Sequence, residues 1–126
     1  MQIGRLDHVN VRTSQLAAMV KWYGDILGMP AGFRPKSSSV GAWLYAGDSA
    51  VVHLVEVTGD AGFGSESALK LEHFSLSATG GAAFEAKLIA EDIAYEKSEI
   101  SEINIVQYNV WDPDGNHIHI DFPADE

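Results

Sequence analysis

Leu6-Asp7-His8-Val9-Asn10-Val11 and Leu71-Glu72-His73-Phe74-Ser75-Leu76 are two versions of one pattern, a histidine after an acidic residue in an alternating stretch. Val51-Val52-His53-Leu54 and His117-Ile118-His119-Ile120 echo each other in the same way. The first pair of histidines is 65 positions apart (8 and 73), and the second pair is 66 apart (53 and 119). This spacing predicts that the chain folds as two copies of one unit.

The first copy is predicted to contain a strand, a helix and three further strands. Residues 3–12 alternate as a strand, with Val9 and Val11 on one face and His8 on the other. Thr13 or Ser14 is expected to cap the helix, which ends at Gly28. Its apolar face is predicted to be Leu16, Met19, Val20, Tyr23, Ile26 and Leu27. The three strands are expected over residues 31–35, 40–46 and 50–57.

The second copy repeats this order. A strand over 71–77 precedes a helix that Thr79 caps and that buries Phe84 and Leu88. Strands follow near 94–97, 103–110 and 116–122, the last two joined by the turn Asp112-Pro113-Asp114-Gly115. Residues 58–68 predict a linker, so that module one spans 1–57 and module two spans 69–126 of a single domain. The predicted class is α+β, two βαβββ modules in tandem.

Strand alternation assigns the histidines to faces. Because the apolar residues of the first and last strands must meet the helices, His8, His73 and His119 are sent to the opposite face. The face of His53 stays open, since its neighbours are also apolar. If the two sheets close around each other, all four histidines point into one cup and suit Zn, Ni, Co, Fe or Cu. The alternative is that each histidine is a hydrogen-bonded or surface residue.

Composition excludes several classes of function. The 126 residues include 8 basic and 18 acidic side chains, for a formal net charge of −10, and such a surface repels nucleic acid and anionic membranes. The absence of cysteine excludes disulfides and thiolate ligands. No apolar run reaches the length of a membrane span, and no signal peptide is evident. We therefore expect a cytoplasmic protein.

The chain resembles the vicinal oxygen chelate superfamily, which includes glyoxalase I, bleomycin-resistance proteins and extradiol dioxygenases. The resemblance covers essentially the whole chain and rests on both acid–histidine stretches, on Trp22-Tyr23 with Ile26-Leu27-Gly28-Met29, and on Asp112-Pro113-Asp114-Gly115-Asn116. It implies paired modules whose sheets curve into a metal-binding cup, and a homodimer. Its ligand positions fall on His8, His53, His73 and His119. The implied cofactor is a divalent transition metal, Zn, Ni, Co, Fe or Mn.

The resemblance departs from glyoxalase I at two ligands. That enzyme usually has glutamates where His53 and His119 stand here, and one of its ligand glutamates transfers the proton. We therefore predict a metal-dependent lyase, isomerase or dioxygenase, distinct from glyoxalase I, that stabilises an oxyanion on a small oxygen-rich or carbonyl substrate. The alternative is a non-catalytic drug- or metabolite-binding protein of the bleomycin-resistance type. A purely structural metal is a third possibility.

Four further residues are candidates for the site. His117 and Asp121 share the predicted face of His119, where either is placed to orient an imidazole or to move a proton as a catalytic residue. Arg12 matches an arginine that contacts the substrate carboxylate in glyoxalase I, and Asn10 lies between it and His8 on the same face. The bland alternatives are a solvent-exposed arginine, a rim histidine and an exposed aspartate. Trp43 and Tyr45 either line a pocket or pack in the core.

Overall fold

Each half of the chain folds as a β-sheet with one helix, which confirms the predicted α+β class. The computed structural model describes residues 1–2, 4–59 and 71–126. The chain divides into two compact units, Met1–Glu66 and Ser67–Glu126. The elements of the first unit are β1 (Val9–Thr13), α1 (Leu16–Leu27), β2 (Gly41–Ala46) and β3 (Ser49–Glu56). Those of the second are β4 (His73–Ser77), α2 (Gly81–Ala90), β5 (Glu96–Ile100), a 3₁₀ turn (Ser101–Ile103), β6 (Ile105–Trp111) and β7 (His117–Pro123).

The first sheet has the strand order β1-β3-β2. β1 runs parallel to β3 and brings Asn10 opposite His53, whereas β2 runs antiparallel to β3 and brings Trp43 opposite His53 from the other side. β1 is shorter than predicted and begins just after His8. Val9 is partly buried while His8 and Asn10 are exposed, which confirms the predicted faces of this strand.

Helix α1 buries the apolar stripe that the sequence predicts. Met19, Tyr23 and Ile26 recur at helical spacing and are buried. Gly28 follows the last turn at φ 65°, a left-handed conformation that glycine adopts without strain. The predicted side-chain cap is wrong. Thr13 is the last residue of β1, and its hydroxyl accepts a hydrogen bond from the backbone N–H of Gln15, the residue that precedes α1.

The predicted strand over 31–35 is also wrong. It is reduced to an isolated bridge between Ala31 and Leu44, supported by hydrogen bonds from Gly32 N to Trp43 O and from Tyr45 N to Pro30 O. Proline has no N–H to donate, so the prolines at 30 and 35 prevent a continuous ladder on this edge. The pairing that remains holds the segment against β2.

The second sheet has the order β4-β7-β6-β5 and follows the predicted arrangement more fully. β4 runs parallel to β7, and β6 joins β7 and β5 by antiparallel pairing. β5 begins at Glu96, two residues later than predicted. The cap that Thr79 was expected to provide is absent. α2 instead follows Gly80 at φ 85°, and the Glu126 carboxylate accepts hydrogen bonds from the N–H groups of Gly80 and Gly81.

The faces of the last strand agree with the alternation of its sequence. Ile118, Ile120 and Phe122 are buried, while His117, His119 and Asp121 are partly exposed on the opposite side. Leu88 is fully buried and Phe84 partly buried on α2, as the sequence predicts. One face of each sheet therefore makes the core, and the other carries the histidines.

Most of the proposed linker over 58–68 lies outside the described residues, and the module boundaries stay a prediction. No helix in the described part of the chain is long and apolar enough to cross a membrane.

Asp112 organises the turn that leads into β7. It is 4% exposed, and its carboxylate accepts hydrogen bonds from Asp114 N and from the backbone and side-chain nitrogens of Asn116. We expect Asp112→Ala to lower the free energy of unfolding by about 2 kcal/mol in urea denaturation, because these donors lose a charged acceptor. Asp48, exposed in the corresponding hairpin of the first unit, is the control, and Asp48→Ala should cost less than about 0.5 kcal/mol. Equal stabilities would contradict the assignment.

Candidate metal and ligand site

The first unit places His53 inside an aromatic stack. The His8 ring lies parallel to it with a centroid separation of 3.9 Å, and the Trp43 ring covers its other side at 4.0 Å. Strand pairing explains this arrangement, since Trp43 is directly opposite His53 and His8 immediately precedes the neighbouring β1. His53 is only 8% exposed as a result. The structure thus brings the first two predicted ligands together.

Hydrogen bonds determine which nitrogens of this pair have a free lone pair. The Asp7 carboxylate lies 2.8 Å from Nδ1 of His8 and holds the proton on that atom, so that Nε2 is left as an acceptor or ligand. Nε2 of His53 lies 3.0 Å from the carbonyl oxygen of Ala50 and must be the protonated nitrogen of the neutral ring. Nδ1 of His53 is therefore the atom available to a ligand.

The pKa values of His53 and Asp7 are both lowered by their surroundings. The pKa of His53 is lowered, first because burial disfavours the charged ring and then because His8 lies beside it. The pKa of Asp7 is lowered mainly by its hydrogen bond with His8. His53 is therefore held neutral, the form that ligates metals, beside an ionised carboxylate.

A shallow cavity of about 450 Å³ opens beside this stack. Its lining combines aromatic rings with charges of both signs: Arg5, Asp7, His8, Trp43, Asp48, Ser49, Ala50 and His53. Asn10 and Arg12, the predicted substrate-binding residues, are exposed on β1 opposite His53 and Val55, and neither belongs to this lining. Their role stays a prediction, whereas Arg5 and Trp43 are the residues found at the cavity.

The second unit gathers three histidines. One nitrogen from each of His73, His117 and His119 lies within 4.8 Å of the other two. The His73 and His119 rings stack at 3.7 Å with an interplanar angle of 14°, whereas His117 is inclined at 63° to the first and 70° to the second. His117 lies directly opposite His73 in the β4–β7 register. Two of the predicted ligands thus meet a third histidine.

Glu72 connects two of these rings. One of its carboxylate oxygens contacts Nδ1 of His73, and the other lies 2.7 Å from Nδ1 of His117. Nε2 of His117 is 2.8 Å from the side-chain oxygen of Asn109, which lies on β6 opposite His119. The pKa of Glu72 is lowered by these two hydrogen bonds, with His73 contributing most. A single ionised carboxylate therefore orients two imidazoles.

Asp121 lies on the same face of β7 and is held by two donors. The Ser75 hydroxyl donates to one carboxylate oxygen at 2.6 Å, and the Gln107 side-chain amide donates to the other at 2.9 Å. These bonds join β4, β6 and β7 next to His119. The pKa of His119 is lowered, principally by burial and then by His73 and His117, while Asp121 partly opposes that shift.

Three residues of these clusters have no role in the site predicted from the sequence. Asp7 and Glu72 hold histidines in place, and Asn109 contacts His117. Trp43, predicted either to line a pocket or to pack in the core, covers His53 and lines the cavity. The repeated acid–histidine dipeptide is a signal from which Asp7 and Glu72 could have been predicted, because adjacent residues at a strand entrance can hydrogen-bond. Trp43 and Asn109 lie opposite the histidines on neighbouring strands, a proximity that strand register alone creates.

The chain belongs to the Glyoxalase/Bleomycin resistance protein/Dioxygenase superfamily, whose family model matches residues 5–120. This confirms the resemblance inferred from the sequence. No curated protein matches the chain.

Solved structures agree on the fold. A glyoxalase family protein from Bacillus anthracis superposes with a TM-score of 0.77 at 20% identity, covering 98% of each chain. A glyoxylase/bleomycin resistance protein/dioxygenase domain from Frankia sp. EAN1pec gives 0.76 at 17% identity, covering 97% of this chain and 99% of its own. The trypanothione-dependent glyoxalase I of Leishmania major gives 0.69 at 22%, covering 94% and 86% respectively. At these identities the likeness establishes the fold alone.

The histidines fit the cofactor that this superfamily usually binds, a divalent metal. Imidazole nitrogens suit Zn, Ni, Co and Fe, and ligand histidines typically donate their other N–H to a carboxylate or carbonyl. His8, His53 and His73 have such a partner in Asp7, Ala50 and Glu72. The second-unit cluster can hold one ion through its own nitrogens. The sharing of one ion by His8, His53, His73 and His119 stays a prediction.

The lowered pKa values of His53 and His119 predict a pH dependence for the metal-free protein. Below their ordinary value of 6.5 the unfolded chain binds protons that the folded chain resists, so their contribution is complete above pH 6.5 and is lost as the pH falls. We expect both rings to titrate below pH 6.5 by NMR, and the free energy of unfolding to fall between about pH 7.5 and about pH 5. His119→Gln should reduce that fall. Midpoints above 6.5 would refute the burial argument.

Proposed function

We propose that this chain is a metal-dependent enzyme of its superfamily, a lyase, isomerase or dioxygenase, that acts on a small oxygen-rich or carbonyl-containing substrate and is not glyoxalase I. The observation that carries the proposal is the recurrence of one arrangement in both units, a carboxylate-held, exposed histidine stacked on a less exposed one. Structural histidines have no need to recur as stacked pairs with the same acidic neighbour. A site that binds a ligand explains both pairs at once.

The proposed ligands are His8, His53, His73 and His119. Because neutral imidazoles do not cancel the charge of a divalent ion, such an ion would act as a strong Lewis acid that stabilises oxyanion character on the substrate. The chain's own contribution is to hold two of the rings neutral and to orient the other two. Burial keeps His53 and His119 neutral, and the carboxylates of Asp7 and Glu72 orient His8 and His73.

The glutamates of glyoxalase I have no counterpart among these ligands, and proton transfer therefore requires another group. His117 and Asp121 are the proposed catalytic residues for this role. Of the two, Asp121 is better placed than His117 to accept a proton, since it lies near His119 on β7 and its carboxylate is held by Ser75 and Gln107. Asn10 and Arg12 stay proposed as substrate-binding residues, and a homodimer stays the proposed assembly.

Metal analysis tests the proposed function most directly. The purified protein should retain about one divalent ion per chain, and His73→Ala should weaken its binding at least about tenfold. Ser77→Ala, on the same face of the same strand but away from the cluster, is the matched control and should bind normally. Loaded protein should turn over members of a panel of hydroxyketones, oxo acids and catechols, with no turnover by His73→Ala. Little activity is expected on a glutathione hemithioacetal.

Each outcome of this experiment is informative. Metal-dependent turnover that His73→Ala abolishes supports an enzyme. Efficient turnover of the hemithioacetal would contradict the exclusion of glyoxalase I. Protein that binds no divalent ion, with wild type and His73→Ala indistinguishable, would overturn the metal-dependent function altogether.

A second candidate function is sequestration of a drug or metabolite without turnover, as in bleomycin-resistance proteins. The cavity of the first unit favours it, because Trp43 offers a flat aromatic surface and Asp7 and Asp48 offer negative charge for a cation. The net charge of −10 would favour the approach of a cationic ligand. This function needs no metal.

Fluorescence titration with a cationic bleomycin-type glycopeptide tests the second candidate. If the cavity binds it, tryptophan emission should change saturably in metal-free protein, and Trp43→Ala should weaken binding about tenfold. Trp22→Phe, on helix α1, is the control and should leave the affinity unchanged. No saturable change in the wild type, or equal affinity in Trp43→Ala, would exclude this use of the cavity.

A further inference from the structure

We propose that the second unit carries a three-histidine metal site, formed by His73, His117 and His119 and oriented by Glu72. In this site His117 is a ligand beside His73 and His119. The inference rests on the proposed function only for the kind of ion, a borderline divalent metal, and concerns which residues bind it.

The hydrogen bonds of Glu72 prepare two of the rings. Each of its oxygens lies at the Nδ1 atom of a different histidine, His73 or His117, which turns Nε2 of both rings away from the carboxylate. This is the arrangement that fixes the tautomer and raises the basicity of a metal-bound imidazole. Glu72 is thus a positioning residue that serves two ligands at once.

Ring orientation explains why the third histidine matters. His73 and His119 are stacked nearly parallel with ring centroids 3.7 Å apart, so their ring lone pairs lie in nearly parallel planes. A tetrahedral ion needs nitrogens spread around it, roughly 3.4 Å apart at Zn–N distances of about 2.0–2.1 Å. His117, inclined steeply to both rings, supplies the missing direction. Since one ring nitrogen from each histidine already lies within 4.8 Å of the other two, side-chain rotation within the cluster would bring three nitrogens to coordinating distance.

The first unit has no equivalent of this third ligand in its described strands. Two residues before His53 stands Val51, whereas two residues before His119 stands His117. On the neighbouring strand, Trp43 faces His53 where Asn109 faces His119. The bulky indole closes the first pair into a stack, while the smaller amide gives room and a hydrogen bond to His117.

Asn109 competes with the ion for His117. Its side-chain oxygen accepts a hydrogen bond from Nε2, the atom that ligation requires, so metal binding replaces this hydrogen bond and releases the Nε2 proton while Glu72 keeps hold of Nδ1. Ligation at Nε2 also removes His117 from proton transfer and leaves that role to Asp121.

Zinc affinity of the full chain, measured by competition with a chromogenic chelator, tests the site. His117→Ala should weaken binding at least about tenfold, whereas Ser77→Ala, on the same face of β4, should stay within about threefold of wild type. Glu72→Gln should weaken it about 10- to 100-fold. Unchanged affinity in His117→Ala or in Glu72→Gln would overturn the proposal.

NMR of the unaltered protein provides a test that does not depend on variants. With ¹⁵N-labelled histidine, zinc should shift the ring nitrogens of His73, His117 and His119 together and leave Nδ1 of His117 protonated. Saturating zinc that leaves the His117 ring unshifted would overturn the proposal. Both measurements omit substrate and are therefore independent of the activity assay. If zinc binds at these histidines but the loaded protein turns over no substrate, the proposed enzymatic function fails and this site stands. If the protein turns over substrate while the His117 ring stays unshifted by zinc, this site fails and the enzymatic function stands.

Discussion

Parallel pairing between the first and last strands of each unit is the constraint on which the histidine arrangement depends. It places β1 beside β3 and β4 beside β7, so residues distant in sequence become lateral neighbours on one face. The register is fixed from the other face, where Val52, Leu54, Ile118 and Ile120 are buried. A slip of one residue would turn these aliphatic side chains toward water and the imidazoles into the core. The apolar face therefore determines where the histidines meet.

The histidines on the other face of each sheet are kept neutral or oriented in two different ways, depending on their exposure. His53 and His119, on the central part of each face, are held neutral because burial penalises their charge. His8 and His73 lie at the exposed strand entrances, where burial is weak and the adjacent Asp7 or Glu72 supplies orientation by a hydrogen bond. The acid–histidine dipeptide thus orients the exposed rings, whereas burial keeps the less exposed rings neutral. Both leave a lone pair available for a ligand.

Sequence reasoning succeeded where local periodicity determines structure and failed where distant contacts do. The repeat, the buried stripe of α1, the left-handed Gly28 and the alternating faces of β7 all follow from short patterns. The cap of α2 could not be predicted, because Glu126 supplies it from the far end of the chain. The same limit applies to the site, since Asn109 reaches His117 only through the pairing of β6 with β7.

The two units therefore illustrate how one backbone arrangement yields different binding chemistry through two cross-strand positions. An indole opposite His53 continues the stack and exposes a flat aromatic surface beside a cavity, which suits an organic ligand. An amide opposite His119 leaves the stack open and engages a third imidazole, which suits an ion. Residue volume and hydrogen-bonding capacity together account for this difference. Because neither position contributes to the buried apolar face, both can change without disturbing the register that holds the histidines together.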